Sequence, residues 1–176
     1  MDRDSIIQEL QTPYFKFEAM PNEFWRDRKI VLVAASKKWE TLKYAPEDLQ
    51  GDKEIVLAAV KHDGETLQFA SEGIRGDKEV VLAAAKENGN ALEFASEDLK
   101  ADYGIVDSAA YNHGGALRYA SKDLLNISPE LIFTAAAEDI EWLEEFGSHR
   151  LADPEFMLQA ITNYCQAIWY LEDGLS

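Results

Sequence analysis

The hydrophobic and polar positions between Asp52 and Ala101 fall in the same order twice. DKEIVLAAVKHDGETLQFASEGIRG, from Asp52, is followed without a gap by DKEVVLAAAKENGNALEFASEDLKA, from Asp77, a period of 25 residues. Within each unit an apolar run (Ile55, Val56, Leu57, Ala59 and Val60 in the first) spreads over too wide an arc for a helix with one narrow buried stripe, so the pattern predicts a helix covered on two sides. Asp52 and Asp77 stand at its predicted N-cap, where a carboxylate accepts from free backbone N–H groups, and Glu54 and Glu79 add negative charge to the positive end. Gly64 and Gly89 are expected to end it in the left-handed C′ conformation. A second, shorter helix is predicted over Thr66–Ala70, then a tight turn capped by Ser71 or Ser96 that points Ile74 or Leu99 inward.

A unit of this length cannot bury its own apolar face, whereas stacked copies share one continuous core. The expected fold is therefore all-α, an α-solenoid. Ala59, Ala70, Ala84 and Ala95 mark the expected close approaches between helices, at interaxial spacings of roughly 8–10 Å. Around the two clear units the pattern predicts six full repeats over residues 27–176, from Asp27, Asp52, Asp77, Asp102, Ser128 and Asp153, with Ile127 as an insertion. Residues 1–26 read as an N-terminal cap holding the back half of a repeat, because Pro21–Asp27 aligns with Ser71–Asp77 and Tyr14, Phe15, Phe17, Phe24 and Trp25 can close the open end.

The pattern D-K-E-[IV]-V-L-A-A-[VA]-K-x-x-G-x-x-L-x-[FY]-A-S-E-x-[LI], carried by residues 52–101 and more loosely by 27–51 and 102–127, resembles the repeat called domain of unknown function 4116. The resemblance implies an all-helical repeat protein of a kind found mainly in bacteria, some of them living in eukaryotic hosts, with no general enzymatic activity. Delivery into a host cell is an expectation from that resemblance alone; a cytoplasmic location is the other.

Charge narrows the partners. The net charge is −16, which disfavours nucleic acid and anionic membrane and suits a protein partner with a basic surface. No apolar run is long enough to span a membrane, and the charged start MDRDSIIQEL has no signal-like core. The single cysteine, Cys165, excludes an internal disulfide framework. His62, His113 and His149 fall in different repeat columns with no second ligand at metal spacing, so neither metal nor cofactor is expected. Ser108 and His113 lie about 140° apart around one helix, which argues against a triad with Asp107.

Positions common to the repeats hold the scaffold, so a residue that breaks its column marks a candidate site. The fourth repeat places Gly104 in the column of Glu54 and Glu79, Asp107 in that of Leu57 and Leu82, Ser108 in an alanine column, and Tyr111 in that of Lys61 and Lys86. Asp107 and Tyr111, and likewise Ser108 and Asn112, are four residues apart on one helical face. Toward the C-terminus Tyr164 stands in the column of Asp63 and Asn88, Trp169 in that of Gln68 and Glu93, and Trp142 where Thr66, Ala91 and Ala116 are small. Residues 128–176 carry ten acids, Glu138 and Glu141 among them, against one base, Arg150.

The expected function is non-catalytic capture of a basic protein partner by this acidic, aromatic C-terminal surface, with the fourth-repeat face around Asp107, Tyr111 and His113 as a second contact. An end cap is the other reading of the C-terminal aromatics. A small-molecule or enzymatic pocket around the fourth repeat, and acidic mimicry of nucleic acid, are the alternative functions.

Overall fold

The computed structural model describes residues 3–12, 15, 17, 20–139, 141–150 and 152–163. These residues form helices and turns, with no strand among them. Each central repeat runs in the same order. An α-helix (Arg28–Ala35, Lys53–Val60, Lys78–Glu87, Tyr103–Asn112) leads to a six-residue 3-10 helix (Trp39–Tyr44, Gly64–Phe69, Gly89–Phe94, Gly114–Tyr119), and then to a short α-helical turn. First helices pack on first helices of the adjacent repeats and 3-10 helices on 3-10 helices, so neighbours in the stack are neighbours in sequence. The chain is a two-layer helical solenoid.

Local chemistry explains each start. Asp52 accepts from the backbone N–H groups of Glu54 and Ile55 at 3.1 and 3.2 Å, Asp77 from those of Glu79 and Val80 at 3.0 and 3.2 Å, and Asp102 from that of Ile105 at 3.2 Å. The same carboxylates face the basic residue one place after the preceding cap. Arg28 reaches Asp52 at 2.6 Å, Lys53 reaches Asp77 at 2.9 Å, and Lys78 reaches Asp102, while Arg3 begins the row on Asp27. One edge of the stack is thus a ladder of ion pairs. Hydrogen bonds from these bases hold the carboxyls of Asp52, Asp77 and Asp102 below the usual carboxylate range. The ladder stops where Tyr103 takes the base's column and Ser128 the acid's, both partners being lost at once.

Two expected devices differ from those found. Gly64 and Gly89 do not adopt the left-handed C′ conformation, since no described glycine has positive φ. They open the 3-10 helices instead, after Asp63 and Asn88, whose side chains accept from Glu65 and Asn90 N–H at 2.9 and 3.0 Å. Their glycine is demanded by the next repeat: a Cβ on Gly64 would lie 2.3 Å from the Ala84 carbonyl oxygen, and one on Gly89 2.4 Å from that of Ala109. The glycines, not the alanines alone, are where backbones meet. Ser71 and Ser96 likewise do not cap with their hydroxyls. Their backbone N–H groups cross to the previous repeat and donate to Gln50 and Arg75 carbonyls at 3.1 and 2.9 Å, a rung continued by Ser121 on Lys100 at 2.9 Å.

The core runs the length of the stack. Ile55, Val56, Ala59 and Val60 are each wholly buried, as are Val80, Val81, Ala84 and Ala85 and then Ile105, Val106, Ala109 and Ala110. Two-sided cover is what the wide apolar arc requires, and each large aliphatic side chain so buried contributes about 1.5–3 kcal/mol. At the N-terminal end Trp25 is buried and stacked on Tyr44, and Phe15 meets Phe17 edge to face. Residues 1–26 hold more than a back half, because Arg3–Leu10 is a helix that buries Ile6 and Leu10 against the first helix of the first repeat. In the fifth repeat the second element is an α-helix, Glu141–Gly147, in place of the 3-10 helix. No described helix is long and apolar enough to cross a membrane.

Candidate functional site

In the second repeat the exposed side of the first helix forms the wall of an open groove of about 480 Å³ against the first repeat, lined by Leu32, Lys53, Glu54, Leu57, Ala58 and Lys61. Its positions recur by 25-residue translation. On the third repeat they are Lys78, Glu79, Leu82, Ala83 and Lys86; on the fourth, Tyr103, Gly104, Asp107, Ser108 and Tyr111, facing Leu82. Every one of the five has changed in the fourth repeat. The residues that hold the stack have not: Ile105, Val106, Ala109 and Ala110 keep the buried columns, and Gly114 and Leu117 keep the start and centre of the 3-10 helix. Divergence takes all five positions of this face, and outside it the third repeat's Asn88, Asn90, Glu93 and Lys100 also give way to His113, Gly115, Arg118 and Leu125.

The altered face has a built centre. The Thr134 hydroxyl, from the first helix of the fifth repeat, donates to Asp107 Oδ1 at 2.9 Å and fixes a half-buried carboxylate between the two helices. Tyr103 precedes it by one turn and Tyr111 follows by one, at 43% and 78% exposure. Tyr111 stands four residues after Asp107, on the same face of the helix. Burial, then the negative charges of Asp107 and Glu130, hold the Tyr103 phenol above its ordinary pKa, so two acids converge on this ring. A Cβ on Gly104 would meet only Asp102 Oδ1 at 3.5 Å, so nothing in the fold requires glycine there. The formal charge of the face moves from +1 in the second and third repeats (two lysines, one glutamate) to −1 in the fourth.

The residues singled out in the sequence are distributed by the fold. Asp107 and Tyr111 do share a face. Asn112 donates to the Ser108 carbonyl at 2.9 Å and not to its hydroxyl. His113 immediately precedes the 3-10 helix and lies edge to face with Trp142, 6.1 Å between ring centres, so it is held in the second layer while Asp107 is held by Thr134 in the first. Trp142 is half-buried and stacked on Phe146; its ring occupies the space above Gly114 and Gly115, where a Cβ on Gly114 would lie 2.3 Å from Cδ1. The small residues at 114 and 115 and the large one at 142 are one packing solution. Glu141 is exposed, and of Glu138 only the backbone, at the end of the helix Glu130–Glu138, is described. Tyr164 and Trp169 lie outside the described residues. Tyr103 was missed in the sequence, although its column of Arg28, Lys53 and Lys78 carried the signal.

The family model described as Domain of unknown function (DUF4116) matches three overlapping stretches, residues 27–75, 52–100 and 77–125. No curated protein and no solved structure matches the chain. The altered face of the fourth repeat falls within the third matched stretch, so it is a variation on the family's unit and lies inside its bounds.

Proposed function

The chain belongs to the DUF4116 family, and from that premise we propose that it is a non-catalytic binding solenoid that captures a protein partner on the exposed face of its fourth repeat. One observation carries this reading: at the five groove positions the fourth repeat departs from its neighbours, while its buried columns stay the same. The second layer also changes, but there Gly115 and His113 are accounted for by packing against Trp142, whereas nothing in the fold requires glycine at 104. Aromatic side chains around a fixed polar centre are the composition of an interface anchor. The acidic C-terminal portion would add long-range attraction for a basic partner and speed encounter, without itself forming the close contact.

The test grafts the third repeat's face onto the fourth. The variant Tyr103→Lys, Gly104→Glu, Asp107→Leu, Tyr111→Lys keeps every buried column, so its circular dichroism should match the parent and its melting temperature should be no lower. Affinity capture with the two proteins side by side should lose the parent's retained partner in the variant. Equal recovery of the same partner by both would exclude this face.

A further inference from the structure

We infer that the Asp107 centre is a subsite for an arginine side chain of an extended peptide, seated on the carboxylate between Tyr103 and Tyr111; this rests on the interaction-face reading above and gives its occupant a chemistry.

Three features of the face select a planar cation. First, Thr134 binds Oδ1 of Asp107, and the other carboxylate oxygen has no hydrogen-bond partner among the described residues. A half-buried carboxylate held by one neutral donor retains acceptor capacity for a charge-assisted bond, the strong kind. Second, a phenol ring stands one turn to either side, so a guanidinium on Asp107 has an aromatic ring within reach in both directions along the helix, the two Cα atoms being about 12 Å apart. Arginine stacks on such rings and is weakly hydrated, whereas the compact lysine ammonium keeps its water more firmly. Third, the bases have been removed from this face. The columns that supply Lys53 and Lys61, then Lys78 and Lys86, supply the two tyrosines here, and of the two bases in these columns on the preceding helix Lys78 is engaged by Asp102. Glu130, across the helix pair, adds a second negative charge on the Tyr103 side. The opposing charge is Lys86 on the preceding helix, in Tyr111's column, which favours approach of the arginine from the Glu130 side.

Gly104 identifies the peptide as extended. In the second and third repeats this position carries a glutamate paired to the previous repeat's base, Glu54 with Arg28 and Glu79 with Lys53. Its loss leaves bare backbone beside Tyr103 with open space above, which admits another main chain at close range.

The probes are tetra-arginine, tetra-lysine and tetra-citrulline peptides titrated into the whole protein, read by amide chemical shifts. Tetra-arginine should shift the amides of residues 103–112 and Thr134, tetra-lysine should bind these more weakly, and uncharged tetra-citrulline should not bind. Asp107→Asn, which keeps an oxygen for Thr134, should weaken tetra-arginine by about tenfold or more, the worth of a charged hydrogen bond. Tyr111→Ala should weaken it less. Shifts spread over the acidic residues 128–163 and unchanged by Asp107→Asn would overturn the subsite, as would equal binding of citrulline. If the four-residue graft abolishes partner capture while tetra-arginine shows no preference for Asp107, the face stands and the arginine assignment falls.

Discussion

The third and fourth repeats differ by a change of surface on a common frame. Both begin at an aspartate cap, bury the same four columns of the first helix, turn through a glycine into a six-residue 3-10 helix, and cross to the previous repeat through a serine N–H. The first helix changes along the whole row facing the groove, where Lys78, Glu79, Leu82, Ala83 and Lys86 become Tyr103, Gly104, Asp107, Ser108 and Tyr111, while the second layer changes at scattered positions such as Asn90 to Gly115. In a stack whose stability is a sum of unit and neighbour terms, the row that faces outward is free to change without reopening the core. The fourth unit is also where the ion-pair ladder ends, since Tyr103 and Ser128 replace base and acid together. The edge is lost on both sides of one junction, so no unpaired charge is left behind.

The comparison breaks most readily in the shared frame, where the two repeats must respond alike. Leu92→Ala and Leu117→Ala each empty a fully buried site at the same place in the second layer, and each should lower the unfolding free energy by about 2–5 kcal/mol in urea denaturation. A much smaller loss at Leu117 than at Leu92 would mean that the fourth repeat is loosely packed and that its altered face is decay. The next effect tests the close approach. Gly89→Ala drives a methyl into the Ala109 carbonyl and should cost about 1–3 kcal/mol through overpacking. Thermal melts that leave Gly89→Ala unchanged would return the glycine to an ordinary turn role.

The ladder gives a smaller, pH-dependent effect. Asp77→Ala removes a helix cap and should cost about 0.5–2 kcal/mol at neutral pH. The carboxyls of Asp52, Asp77 and Asp102 are lowered on folding, foremost by the facing base. Their contribution is therefore present above the unfolded value of about 3.9 and is lost as pH falls through the lower folded values. Stability of the parent should hold constant down to about pH 5 and decline below about pH 4. Denaturation curves for Asp77→Ala should show a shallower decline, and an equal slope in both proteins would remove the ladder from the account.

Much of this frame was legible because strict repetition substitutes for an alignment. Asp52 and Asp77, the wide apolar arc and the period fixed caps, two-sided burial and stacking before any coordinate. The roles of Gly64 and Ser71 were not, because each depends on an atom of another repeat, the Ala84 carbonyl for one and the Gln50 carbonyl for the other, and residues about twenty positions apart give no local signal. Trp142 was legible as an anomaly in a small column but not as the partner of Gly114 and Gly115. The site was half legible: Gly104, Asp107, Ser108 and Tyr111 broke their columns visibly, yet only the groove of the second repeat showed that those columns form one surface and that Tyr103 belongs to it.

The smallest predicted effect separates the two repeats most sharply, because it turns on one residue type in two settings. Gly89 and Gly104 are 15 positions apart in the sequence, and a Cβ at the first would strike a carbonyl while at the second it would meet only Asp102 Oδ1 at ordinary distance. Glycine at an exposed position in the first turn of a helix costs backbone entropy that alanine does not, so Gly104→Ala should raise stability by about 0.5–1 kcal/mol, a gain opposite in sign to the loss at Gly89. Gly104 brings its own helix no packing return, and a peptide main chain lying over it is the occupant that bare backbone admits. Gly104→Ala should therefore melt higher and bind tetra-arginine more weakly. A variant that is more stable and binds equally well would separate the glycine from the arginine subsite and leave it as an unexploited flaw in the helix.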